Sequence, residues 1–124
     1  EAALEKEPTL VDKLTRSVVL GRKDMREGLF ASLAETEPET VAMMFQDQRF
    51  YQRSVSFWPP HIRMAQEAGE ISAEIDVHTA TDLVMRLAVS MVMYPHMGIE
   101  LKTRPAIRAY LQQVLTRGLG APAR

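Results

Sequence analysis

The sequence predicts an all-α domain, a bundle of about five to six helices whose last two complete a four-helix bundle with a second copy of the chain. Three observations carry that expectation. Apolar residues recur at the three- and four-residue spacing of helices, and no alternating strand pattern occurs. Caps, prolines and glycines punctuate those runs where helices start and stop. Finally, residues 69–118 contain a helix apolar on nearly every side, and in a chain of 124 residues such a helix must be buried on more than one face.

Taken in order, residues 1–7 are charged and carry no clear signal. Thr9 follows Pro8 and precedes Asp12 by three positions, a capping box with Asp in place of Glu. Leu10, Leu14 and Val18, with Val11 beside them, form the face of a first helix that Gly21 is expected to stop. A second helix is expected over 24–35, with Met25, Leu29, Phe30 and Leu33 on one face. Gly28 weakens it by up to ~1 kcal/mol relative to Ala. Thr36-Glu37-Pro38-Glu39 then reads as a start signal: a cap residue, Pro in the first turn and a carboxylate at the third position.

The third helix carries Val41, Met44, Phe45, Gln48 and Tyr51 or Gln52 along one side and is expected to reach Ser54 or beyond. Pro lacks the backbone donor and its ring clashes with the preceding turn. Phe57-Trp58-Pro59-Pro60-His61 therefore predicts a kink or break, with helix resuming as far as Ala68. Gly69 suits a left-handed helix end.

Asp76 is expected to cap a fourth helix, with Thr79 in its first turn. Its main stripe is Ala80, Leu83, Val84, Leu87, Ala88 and Met91, and Met85, Val89, Val92 and Met93 form a second stripe. Asp82 and Arg86 lie four apart and can pair. Pro95 ends this helix. Pro105 opens a fifth, whose face is Ile107, Tyr110, Leu111, Val114 and Leu115, and Gly118 closes it. The intersubunit contact is expected from Leu83, Leu87 and Met91 on one helix, and from Ile107, Tyr110, Leu111 and Val114 on the other.

Composition narrows the function classes. The length suits one domain. Net charge is −1 with no basic block, which argues against this segment gripping nucleic acid by itself. No apolar run approaches the roughly 20 residues of a membrane helix. With no Cys, disulfide scaffolds and thiolate metal sites are ruled out, and a reducing cytoplasm is the expected compartment. No signal-peptide pattern is present. A start at Glu1 rather than Met fits a processed product or a piece of a longer protein.

Catalytic chemistry is scarce. His61, His78 and His96 lack the spacing that puts two metal ligands on one helix face. No nucleophile elbow, phosphate loop or dinucleotide fingerprint occurs. Glu35, Glu37 and Glu39 cluster at a helix start, where the macrodipole favours carboxylates. Neither an enzyme nor a cofactor is expected.

Binding has better support. The chain holds eight Met, concentrated in the helices expected to enclose the core. Flexible thioethers suit an adaptable apolar pocket, and equally fill gaps in a helical core. A Pro-broken helix cannot close-pack along its whole length, which favours a cavity. Phe50, Phe57, Trp58, His61, Met64, Met85 and Val89 are its expected lining, with His61, Tyr51 or Arg53 as polar handles. The competing reading has the aromatics pack the kink shut.

The order of elements resembles the C-terminal regulatory domain of TetR-family transcriptional repressors. The features that carry it are Thr36-Glu37-Pro38-Glu39 at the head of a long helix, Ala-Gly-Glu-Ile at 68–71, Asp-x-x-Thr-Ala-Thr-Asp-Leu at 76–83, and Tyr-Leu-Gln-Gln-Val-Leu-Thr-Arg-Gly-Leu at 110–119. Together they span most of the chain. The resemblance implies a homodimer through the last two helices, and a small apolar or aromatic effector held among the preceding helices and the first of that pair. Effector binding would alter DNA binding by an N-terminal helix-turn-helix domain that is not in this chain. No individual contact residue transfers from the family. The residues alone leave an alternative: a stand-alone helical protein–protein interaction or scaffold module without a ligand pocket.

Overall fold

One helix, α2 (Leu10–Arg26), is the axis on which the others rest. The computed structural model describes residues 2–27, 32–33, 35–45, 48–94 and 98–118, without the side chains of 41, 42, 44, 45, 49 and 50. Besides α2, the helices are α1 (Ala2–Glu5), α3 (Pro38–Phe45), α4 (Gln48–Glu67), α5 (Val77–Met93) and α6 (Arg104–Gln112). The chain beyond α6 widens into a π-helical turn over Gln113–Arg117. No strand occurs among the described residues, and the all-α class stands.

Capping chemistry explains why α2 starts where it does. The Thr9 hydroxyl accepts from the Asp12 backbone N–H at 3.0 Å and donates to the Asp12 carboxylate at 2.7 Å. Two further N-terminal donors, the N–H groups of Leu10 and Val11, reach the Glu70 carboxylate at 2.9 and 3.0 Å. That carboxylate comes from the turn after α4, sixty residues on, and lies where the helix dipole favours a negative charge. Asp12 also accepts from Arg108 Nε of α6 at 2.8 Å. Burial acts to raise its pKa, but the hydrogen bonds from Thr9 and Arg108 and the charges of Arg108 and Arg104 outweigh that and hold it below the usual carboxylate range.

The apolar face of α2 is almost completely enclosed: Leu10, Val11, Leu14 and Val18 are 0–2% exposed. Both α5 and α6 pack chiefly on α2, and α5 also packs on α4. The last two helices thus share α2 as their common partner. At the other end of α2, buried Arg22 donates through Nε to the Met91 carbonyl at 3.0 Å and through Nη1 to the Leu101 carbonyl. It ties down both the last turn of α5 and the segment leading to α6.

Several local expectations are corrected. Gly21 does not stop the first helix, which runs on to Arg26. A Cβ at Gly21 would sit 2.8 Å from Val92 Cγ2 of α5, so glycine serves close helix approach there. Asp24 is consequently inside α2 and does not open a second helix. Gly28, Leu29 and Phe30 lie outside the described residues. Thr36 does not cap the next helix: its hydroxyl bonds back to the Ser32 carbonyl at 2.9 Å, and α3 starts at Pro38.

The prolines do not break α4, which is continuous through Pro59 and Pro60. An interior Pro costs ~3 kcal/mol or more. Trp58 and Ile62 flank the pair and are buried, and burying a large apolar side chain is worth roughly 1.5–3 kcal/mol. The two terms are of the same order, so core burial holds the helix together. At its end the Glu70 N–H reaches the Ala65 carbonyl and the Gly69 N–H reaches the Gln66 carbonyl, with Gly69 at φ +76°, a Schellman motif.

The remaining ends follow the expected signals. Asp76 accepts from the Thr79 N–H at 3.0 Å and caps α5. Asp82 and Arg86 pair at 2.7 Å on its exposed side. Thr103 caps α6 through the Ala106 N–H at 3.2 Å, one residue ahead of the helix that Pro105 helps to open. Gly118 closes the π turn.

Glu70→Ala is expected to destabilise the fold by about 1–3 kcal/mol in urea denaturation, because it strands two N–H groups at the head of a buried helix. Asp82→Ala, which removes only an exposed pair, should cost under about 0.5 kcal/mol in the same assay.

Candidate ligand-binding cleft

Helix α4 projects Phe57, Trp58 and His61 toward α1 and α5. Phe57 and Trp58 stack edge to face, with centroids 5.0 Å apart and planes at 87°. The His61 ring tilts against Phe57 at 4.6 Å. Trp58 is 5% exposed, so its indole is both a core wedge and a wall.

Beside it opens a cleft of about 440 Å³. Leu4 of α1, Phe57 and Trp58 of α4, and Met85 and Ala88 of α5 make the apolar wall. Ser17, Ser54 and Arg53 are the polar residues of its lining. A wider cleft of about 920 Å³ adjoins it and shares Arg53 and Phe57. Glu5, Gln52, Ser56 and His61 border that second space. The narrower one has the size of a small-molecule site.

His61 is held neutral. Burial lowers its pKa first, the positive charge of Lys13 lowers it further, and Glu5 acts weakly in the opposite direction. Its Nδ1 is buried with no hydrogen-bond partner among the described residues, so a proton there would have no acceptor.

The sequence-derived lining is brought together in part. Phe57, Trp58, His61 and Met85 border the two clefts, as does Arg53 among the expected polar handles. Met64 follows Phe57 and His61 along the same flank of α4 but is 59% exposed and borders neither cleft. Val89 is half-buried and borders neither; one residue round the helix, about 100° away, Ala88 takes that place. Tyr51 is exposed, and the side chain of Phe50 lies outside the described residues. Nor does the space arise from a broken helix, since α4 is continuous. It lies where α1, α4 and α5 meet around α2. The sequence gives no signal for the α1 wall of Leu4 and Glu5, because three charged or small residues around one Leu make too short a run to show helical periodicity.

On the α5–α6 side, Met91, Ile107 and Leu111 are buried within their own chain. Leu83 is 38% exposed, and Leu87, Tyr110 and Val114 are half-buried. Exposed Tyr94 and Ile99 join Leu87 and Tyr110 around a depression of about 330 Å³. Among the described residues no cluster of three or more potential metal ligands occurs, and no helix is long and apolar enough to cross a membrane.

No known protein family, curated protein or solved structure matches this chain. The class that fold and site define is an all-α domain with a ligand-sized cleft beside its central helix.

Neutral His61 makes stability depend on pH with a definite sign. An unfolded His titrates near 6.5, whereas folded His61 titrates lower, so between those values the unfolded chain binds more protons. Its contribution is complete above pH 6.5 and is lost as pH falls toward the folded-state value. Urea midpoints measured between pH 7.5 and 5.5 should fall with acidification, and His61→Gln should flatten that limb.

Proposed function

We propose that the chain is the effector-sensing and dimerisation domain of a TetR-like cytoplasmic transcriptional regulator. It binds a small apolar or amphipathic ligand and catalyses nothing. The observation that carries this reading is the cleft walled by Phe57, Trp58 and Met85, which lies among the helices preceding the final pair and the first helix of that pair. The resemblance in element order implies an effector site in that region.

Dimerisation belongs to the open side of α5 and α6, where Leu83, Leu87, Tyr110 and Val114 leave apolar surface uncovered by their own chain. DNA contact belongs to an N-terminal helix-turn-helix domain outside this chain. Effector binding at the cleft then alters DNA binding as a coupling between two sites.

Trp58 is the single Trp of the sequence and borders the cleft, so its fluorescence reports on that site without interference from a second indole. Titration with acyl, aromatic and polycyclic compounds should give saturable changes in Trp58 emission together with a raised melting temperature, and Met85→Glu should abolish both. A broad screen without any such change would favour the interaction-module reading. In sedimentation analysis, Leu83→Asp and Val114→Asp are each expected to convert a dimer to monomer while the helical circular-dichroism signal persists.

A further inference from the structure

The charge distribution at the narrower cleft narrows the ligand class. Of the described residues that border it, Arg53 alone is charged. Two hydroxyls, Ser17 and Ser54, border the same space, while the remaining wall is hydrocarbon, aromatic ring and thioether. None of the ion pairs among the described residues uses Arg53. Arg53 is an exposed residue that borders both clefts, so it stands where the apolar wall meets water.

Such a layout matches a molecule with an apolar body and an oxyanion head. The planar guanidinium presents a fork of N–H donors that fits a carboxylate with two parallel hydrogen bonds, which an alcohol cannot accept. Ser17 and Ser54 can each donate to an oxygen of that head. Trp58, Met85 and Leu4 would receive the body, with the Met85 thioether adapting to its shape. A cationic amphiphile meets the opposite situation, since its ammonium would lie against Arg53. Among the described residues that border either cleft, Glu5 is the one carboxylate, and it borders only the wider one.

We infer that the cleft selects amphipathic carboxylates, with Arg53 reading the head and the Trp58–Met85 wall holding the body. This rests on the ligand-binding reading given above. The test is titration of the full chain with decanoate, decan-1-ol and decylamine below their micellar concentrations, followed by Trp58 emission. Decanoate should bind about tenfold more tightly than decanol, with decylamine weakest. Arg53→Met keeps an apolar stem and should bring decanoate down to the decanol affinity while leaving decanol binding unchanged. Arg53→Lys, which keeps the charge but not the fork, should restore part of the preference. Equal affinity for decanoate and decanol, or a preference that survives in Arg53→Met, would overturn the assignment of the head group and leave the ligand site standing. Absence of binding by all three amphiphiles would overturn both.

Discussion

The fold depends on keeping α2 buried with its polar ends satisfied. A helix whose apolar face is sealed by its neighbours has its first N–H groups close to the core, and each unpaired group there costs about 1–3 kcal/mol. Here the head of α2 is satisfied by Thr9 locally and by Glu70 from far along the chain. Near its tail, Arg22 reaches out instead and takes carbonyls of Met91 and Leu101. These long-range polar contacts bring the turn after α4 to one end of α2 and the α5–α6 connection to the other. Apolar packing is non-directional, so the polar contacts supply the register that burial alone lacks.

The cleft follows from that register. Once Glu70 holds the end of α4 against the head of α2, the preceding turns carry Ile62 and Trp58 into the core and Phe57 and His61 along the flank. The core then requires α4 to stay helical through Pro59 and Pro60. On this continuous helix Phe57 and Trp58 lie edge to face, and the space toward α1 and α5 stays open beside them. Small side chains on the facing surfaces, Ser17, Ser54 and Ala88, leave it open.

Local signals were legible wherever one side chain acts on its own backbone. Thr9, Asp76, Gly69 and Gly118 mark helix ends as their chemistry dictates. Signals that compete with tertiary contacts misled. Gly21 and the proline pair both carry a real local cost, yet close approach to Val92 and burial of Trp58 and Ile62 outweigh it. The Thr36 hydroxyl bonds back to the Ser32 carbonyl instead of capping α3. Likewise the apolar stripes of α5 and α6 identify buried side chains without saying whether the covering surface belongs to the same chain. Met91, Ile107 and Leu111 proved to be spent on α2 and the surrounding core.

By itself the sequence determined the all-α class and most helix boundaries. Those properties follow from periodicity and from interactions spanning at most one helical turn. Tertiary structure alone decided that Glu70 caps α2, that Arg22 joins α5 to the segment before α6, that Leu4 and Arg53 border the same cleft, and which face of α5 remains open. Each of these brings together residues tens of positions apart, and their distance in space is set by how whole helices pack, which no local pattern encodes.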